Sequence, residues 1–273
     1  MLPRIHFIEI HEQPWVPESL RQGITDCLFT VWKLFFWKNT LPHLTDLLEK
    51  TPSHSIIDLC SGSGGPVPIA ADALSKQFPD LKVLLTDIYP KSNWVNPIES
   101  NCNIQYYEQP VNAQAVPQEL NGIRTIFEGF HHFKPQEAVA ILKDAVTQKQ
   151  PIAIFEFQTR SILDTLFSPL PLAVPAAVLL SFWHTPFSQW KLFWTLVVFT
   201  PFILIFDGIV SILRTYTTEE LAELAEQAGT EGFRWEVRET RDRGFGRITC
   251  LIGWPDQDDG VYQICYPPKE IEP

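Results

Sequence analysis

Apolar residues along this chain fall into short runs that read as strands and longer stretches with helical spacing. Ile56-Ile57, Val83-Leu84-Leu85, Ile123 to Phe127 and Ile152 to Phe155 are uninterrupted enough to be buried strands. The first is closed by Asp58, the second by Thr86-Asp87 and the last by Glu156. A shorter run, Asn103-Ile104-Gln105-Tyr106, fits a third strand between the second and fourth, and residues 233–237 and 247–253 predict two late strands. Leu20, Ile24, Leu28, Val31 and Phe35 recur at helical spacing from a start near Pro17-Glu18-Ser19. They predict an amphipathic helix that runs into residues 32–37 and either packs on the sheet edge or closes over a bound ligand. Pro42 marks a break before a second, short helix over 44–50. Thr217 or Thr218 caps a last helix, with Glu219 and Glu220 in its first turn.

One stretch does not fit this alternation. No residue from Thr165 through Trp190 carries a formal charge with His184 neutral; Lys191 follows, then fifteen uncharged residues, then Asp207. The segment between Ser161 and Arg214 holds ten aromatics and five prolines, Pro169, Pro171, Pro175, Pro186 and Pro201. Three readings stay open: a helical cap on the core, a lid over an apolar pocket, and a membrane-embedded or interfacial hairpin. A spanning helix needs about 20 apolar residues. The run over 192–206 is shorter and contains Pro201, so a re-entrant or surface-lying hairpin fits better than two full spans. Trp183, Trp190 and Trp194 suit a water–lipid boundary. Asp207 needs a partner inside so apolar a stretch, and Arg214, about two helical turns on, is the expected one. Arg160 reads as a hinge or ion-pair residue.

The candidate chemistry sits after the first strand, in Asp58-Leu59-Cys60-Ser61-Gly62-Ser63-Gly64-Gly65. Glycines there let the backbone turn tightly and approach a ligand closely. Asp87 follows Gly62 by twenty-five residues, near the spacing at which a doubly wound sheet sets a carboxylate against a ribose. A dinucleotide fingerprint needs a third small residue, and that place holds Val67, so NAD is the weaker reading. No Gly-Lys-Ser/Thr follows the turn, which excludes a P-loop.

The pattern Asp-x-x-x-Gly-x-Gly-Gly, with an acid ending the next strand, resembles motif I and the acidic loop of class I S-adenosylmethionine (SAM) dependent methyltransferases. Residues 111–117, Val-Asn-Ala-Gln-Ala-Val-Pro, are similar to the family's Asp-Ala-x-x-x-Pro loop, with Asn112 in place of the acid that accepts the adenine amino group. The resemblance extends over about 200 residues and implies an α/β fold, a doubly wound seven-stranded Rossmann-like methyltransferase sheet with an apolar, mainly helical insertion. It divides the chain into an N-terminal helical cap (1–50), a SAM-binding core (51–160), the insertion (161–213) and the last helix with the closing strands (214–273). It assigns Asp58, Cys60, Gly62, Ser63, Gly64, Asp87, Ile88, Asn112, Ala113 and Glu128 to SAM. Gly62 and Gly64 would shape the loop under the amino acid end, Asp58 would bond to the backbone or the ammonium, and Asp87 would hold the ribose hydroxyls. The loop after strand four, Glu128-Gly129-Phe130-His131-His132-Phe133, is where the family often carries an aromatic and His pair beside the methyl donor. His131 and His132 are thus the candidate bases, the alternative being packed or capping residues. Glu156 is a further candidate or holds a loop. No metal is expected.

Composition narrows the partners. A net charge of −11 and a pI near 5.1, without a Lys/Arg block, disfavour nucleic acid. Cys27, Cys60, Cys102, Cys250 and Cys265 are scattered, odd in number and without Cys-x-x-Cys, which fits a reducing cytoplasm and no zinc site. No charged start precedes a long apolar run at the N-terminus, so secretion is not indicated. The expectation is SAM-dependent methyl transfer to a small, largely apolar acceptor, oxygen first and carbon or nitrogen open, in a cytoplasmic protein with membrane contact through 165–213 as an option. A SAM enzyme of the same fold without methyl transfer, such as a cyclase or decarboxylase, and a membrane-associated SAM-binding protein without turnover are the rivals. Oligomeric state is not legible.

Overall fold

The computed structural model describes residues 3–51, 54–91, 94, 96, 98, 102–160, 170–197, 199–242 and 246–256. Seven strands form one sheet: β1 (Ser55–Asp58), β2 (Lys82–Leu85), β3 (Asn103–Tyr106), β4 (Ile123–Phe127), β5 (Ile152–Glu156), β6 (Phe233–Asp242) and β7 (Gly246–Pro255). Their order is β3-β2-β1-β4-β5-β7-β6. The first five are parallel, in a register that sets Ile57 beside both Leu84 and Arg124, while β7 runs antiparallel to β5 and to β6. This is a doubly wound, seven-stranded Rossmann-like sheet, the architecture that the resemblance implies. The strand order reverses between β1 and β4, and the crevice above that switch point, at the C-terminal strand ends, is where such sheets bind ligands.

Both faces of the sheet are covered, which is why β4 and β5 are buried at every position. Helices α4 (Pro135–Thr147) and α8 (Thr218–Ala228) cover one face, where Ile57, Ile126, Ile154, Ile141, Leu142 and Leu224 share a core. Helices α2 (Leu41–Lys50) and α3 (Val67–Ser75) cover the other, with Leu47, Leu48, Leu74, Val83 and Phe155. Thr217 caps α8, its hydroxyl accepting from the Glu220 amide while the Glu220 carboxylate accepts from the Thr217 amide. Pro42 lies in the first turn of α2 rather than breaking the chain before it; the first turn leaves its N–H groups unbonded, so a proline costs nothing there.

A third core lies outside the sheet. Helix α1 (Glu18–Val31) packs neither on the sheet edge nor as a lid of its own, but against the insertion. Leu20, Ile24 and Cys27 meet Val174, Val178 and Ile203 from helices α5 (Leu170–His184) and α7 (Phe199–Arg214), with α6 (Gln189–Leu196) between them. Lys191 of α6 turns inward and is buried, its Nζ 3.0 Å from Asp26 of α1 and 2.6 Å from the Thr185 hydroxyl. The expected Asp207–Arg214 pair does not form. Asp207 accepts from the Ile10 and His11 amides and lies 2.8 Å from His11 Nδ1, while Arg214 pairs with Glu9 at 3.1 Å. The N-terminal segment 3–16, which gave no periodic signal, supplies the nearer partners. Arg160 is an ion-pair residue, 2.6 Å from Glu220. Pro201 sits in the first turn of α7, and α6 and α7 meet at 74°. Residues 161–169 and the tail from 257, with Cys265, lie outside the described residues.

Candidate functional site

At the end of β1 the chain reverses through four residues at positive φ: Cys60 (59°), Gly62 (53°), Gly64 (96°) and Gly65 (48°). A Cβ on Gly62 would meet nothing within 4 Å, so its backbone faces open space, as a cradle for a ligand must. A Cβ on Gly65 would stand 2.3 Å from the Trp32 ring, which closes one flank of the loop. Cys60 holds the left-handed conformation despite its side chain, and burial, with Asp87 and Asp58 adding to it, raises its thiol pKa. It is a packed thiol, not a nucleophile. Asp58 bonds to neither backbone N–H nor open space. Its carboxylate accepts from the Ser61 hydroxyl at 2.5 Å and the Thr125 hydroxyl at 2.6 Å, and burial pushes it up to about 7. It ties the loop to β4.

Asp87 follows the end of β2, the strand beside β1. Its Oδ2 accepts from the Gly62 amide at 2.8 Å and its Oδ1 from the Tyr89 amide at 2.9 Å. Each oxygen keeps a second lone pair, two acceptors side by side on a rigid strand end, the geometry a vicinal diol requires. Ile88, beside it, is exposed. Ser63 is fixed from the β2–β3 connection, its hydroxyl accepting from Lys91 Nζ at 2.6 Å and its carbonyl from Trp94 Nε1 at 3.0 Å. Tyr106 of β3 donates to the Gly62 carbonyl at 2.9 Å. Asn112 folds its side-chain oxygen onto the Gln114 amide at 2.9 Å, leaving one lone pair, with Ala113 buried behind it. Asp87, Gly62, Ser63 and Gly64 therefore share one crevice, and Ile88, Asn112 and Ala113 follow the ends of β2 and β3 along it.

Beyond the loop lie the ends of β4 and β5. Glu128, also at positive φ (50°), accepts from the Phe157 amide, and burial together with the neighbouring Glu156 charge pushes its carboxyl up to about 8. Its second oxygen can donate a hydrogen bond when the carboxyl is protonated, the form that burial beside Glu156 favours. His131 is buried, its amide donating to Glu156 at 3.0 Å and its Nδ1 2.7 Å from the same carboxylate. Its Nε2 lies 3.7 Å from Glu9, too long for a hydrogen bond, and has no direct partner among the described residues. Burial opposes the imidazolium, but the negative charges of Glu156 and Glu9 outweigh it and raise the His131 pKa well above the usual range. An imidazolium is not a base. His132 is more accessible and its ring lies against His131, centroids 4.2 Å apart and planes tilted by 33°. Its Nδ1 lies 2.6 Å from Glu12 and 3.0 Å from Arg214 Nη1. Donation from Nδ1 to the nearer carboxylate leaves Nε2 as the basic atom.

Glu9, Glu12 and Arg4, missed in the sequence, pin the N-terminal segment onto this loop. Arg4 donates to the carbonyls of His131 and Phe133 at 3.0 and 2.8 Å. Burial opposes ionisation of Glu9, but the His131 contact and the charges of His132, His131 and His11 bring its carboxyl down to about 2. The one available signal was a pair of acids, Glu9 and Glu12, spaced among apolar residues. Two clusters, Glu9–His131–His132 and Glu128–His131–Glu156, bring potential metal-ligand atoms within 4.8 Å of one another. Arg214 already stands as a cation 3.1 Å from Glu9 in the first, and Glu156 takes His131 Nδ1 in the second. An opening of about 290 Å³ between Lys50, Pro151 and Trp254 lies at the opposite edge of the sheet, away from all these groups.

No protein-family model and no curated protein matches this sequence. Solved structures match over most of its length. LepI in complex with SAM is 15% identical, with 78% of this chain and 46% of LepI covered and a TM-score of 0.42. Human N-acetylserotonin methyltransferase in complex with SAM is 11% identical, covering 84% of this chain and 56% of that one, with a TM-score of 0.42. The methyltransferase domain of bacterial CtHen1-CN is 14% identical, covering 80% of this chain and 98% of that one, with a TM-score of 0.41. The chain spans about half the length of the first two. At such identity and TM-score these likenesses carry no information about activity.

Proposed function

We propose that this chain binds SAM in the crevice between β1, β2 and β4 and transfers its methyl group to a small, largely apolar acceptor. The observation that carries the reading is Asp87, its two oxygens each braced by one backbone amide and each left with a free lone pair, facing a Gly62 backbone open to the crevice. The residues present fit the cofactor: Asp87 for the ribose diol, Gly62 to Gly64 for the amino acid end, Ile88 against the adenine face and the remaining Asn112 lone pair for its amino group.

SAM, when bound, supplies an electrophilic methyl. What the chain must do is align a nucleophile, exclude water and take a proton where the nucleophile carries one. His132 is the residue we assign to proton transfer, at Nε2, with Glu12 holding Nδ1. His131 we assign as a charged post that positions the loop, between Glu156 and Glu9. Oxygen acceptors, a phenol, enol or carboxylic acid, match a histidine base best. The apolar insertion, whose α7 ends at Arg214 against His132, supports an apolar acceptor. Calorimetric titration with SAM should show saturable binding, and S-adenosylhomocysteine should accumulate with a panel of apolar phenols and acids. Absence of SAM binding would remove the reading; acceptor consumption without S-adenosylhomocysteine would replace it with a non-methylating reaction.

A further inference from the structure

Helices α5 to α7 present a surface unlike the rest of the molecule. Among the described residues between 174 and 210, seventeen side chains are exposed, and of these Gln189 alone carries no apolar or aromatic side chain. Thirteen of them are large and apolar, exposed to between 38% and 89%. They amount to on the order of 1,000 Å², where a monomer's largest apolar patch is usually a few hundred. Trp183, Phe187, Trp190, Phe193, Leu196 and Phe202 mark its extent. Among the described residues of these three helices the charged groups face the other way: Lys191 toward Asp26, Asp207 toward His11, Arg214 toward Glu9.

We infer that this face docks on a lipid bilayer and lies in its surface without crossing it. The choice of lipid over a protein partner rests on polarity. Protein interfaces carry a polar rim and about one hydrogen bond per 100–200 Å². The exposed set offers one amide side chain and two indole N–H groups, against roughly 5–10 hydrogen bonds for a protein interface of this size. Hydrocarbon asks for none, provided the backbone is satisfied internally, and three helices do that. Among the described residues no single helix is long and apolar enough to cross a membrane, and α6 and α7 meet at 74°. α7, with 16 residues, is about 24 Å long against a hydrocarbon core of about 30 Å. Lys191 and Asp26 lie behind the face and anchor α6 and α5 to α1, so the helices meet lipid as a fixed plate. Exposed indoles at Trp183 and Trp190 belong at the headgroup level. The net charge of −11 offers nothing to anionic headgroups, so attachment is apolar, not electrostatic.

The test is flotation of the full chain with neutral phosphatidylcholine vesicles, which needs neither SAM nor acceptor and so fails or succeeds apart from the proposed reaction. Most of the protein should float with the vesicles, equally at 0.1 and 1 M NaCl and without gain from anionic lipid, salt concentrations that separate apolar from charge-driven attachment. The double variant Trp190→Glu with Phe193→Glu should lower the bound fraction at least about tenfold, with unchanged circular dichroism and SAM titration. Phosphatidylcholine carrying brominated chains should quench tryptophan fluorescence of the unmodified chain. Protein left at the bottom of the gradient, equal flotation of the variant, or a stable dimer that the variant disperses in the absence of vesicle binding would each overturn the inference.

Discussion

Replacing Asp87 by Asn removes one charge and one acceptor from the centre of the proposed SAM crevice while keeping the side chain's shape. Oδ1 can still accept from the Tyr89 amide, but the amide NH₂ then faces the Gly62 N–H across the 2.8 Å now bridged by Oδ2. Two donors at that distance repel, so the Gly62 corner of the loop moves away. The ribose also loses a charge-assisted hydrogen bond, worth roughly 1.5–3 kcal/mol. Adding a loop displacement of about 1 kcal/mol, the loss is about 3 kcal/mol, or a Kd raised on the order of a hundredfold. Asp87 lies outside the three hydrophobic clusters, so the melting temperature should fall by only a few degrees, about 1 kcal/mol in stability. Calorimetric titration of parent and variant with SAM and with S-adenosylhomocysteine, at one ionic strength, measures the change directly. Affinities agreeing within about a factor of two, on a variant that melts like the parent, would show that the ribose is not held at Asp87.

Lys191→Met keeps the volume of the buried side chain but leaves Asp26 without its ammonium, a loss expected to cost about 3 kcal/mol. Thermal unfolding should move down by roughly 6–12 °C; an unchanged melting temperature would mean that the insertion is not clamped to α1 through this pair. Asp58→Asn tests the raised carboxyl at the root of the glycine loop. A folded pKa of about 7 above an unfolded value of 3.8 means that the acid's contribution is fully present below pH 4 and is lost as pH rises toward 7. Asn mimics the neutral acid, so the variant should match the parent below about pH 4, gain on it steadily as pH rises toward 7 and be the more stable above pH 8, by several kcal/mol at most. Parallel melting curves across that range would refute the assignment.

The sheet was legible because buried parallel strands leave uninterrupted apolar runs, and each of the five was read within a residue or two of its observed ends. The closing hairpin was read short. Residues 238–242, Arg-Glu-Thr-Arg-Asp, lack the apolar run that marks a buried strand, yet they continue the pairing with β7, the last three beyond Thr249 where β7 leaves β5. The glycine loop and Asp87 were legible because positive φ and a strand-end acid are local requirements. What Asp58 does was not, since Thr125 comes from another strand sixty-seven residues on. Nor was the packing partner of α1: its helical stripe declares a buried face but not whether sheet or insertion covers it.

The charged groups around His131 and His132 show the same limit in a sharper form and explain it. Glu9 and Glu12 come from the N-terminal segment, Glu156 from β5, Arg214 from the end of α7 and the histidines from the β4 loop, and none of these lies near another in sequence apart from the two neighbouring pairs. A buried carboxylate such as Glu9 is tolerated only beside cations, and His131 and Arg214 meet that need together. The cluster therefore forms only when N-terminal segment, insertion and core are all docked. It follows that the loop carrying the proposed base is ordered by the same contacts that fasten the apolar helices in place. The insertion is then a structural component of the crevice and not an appendage to it.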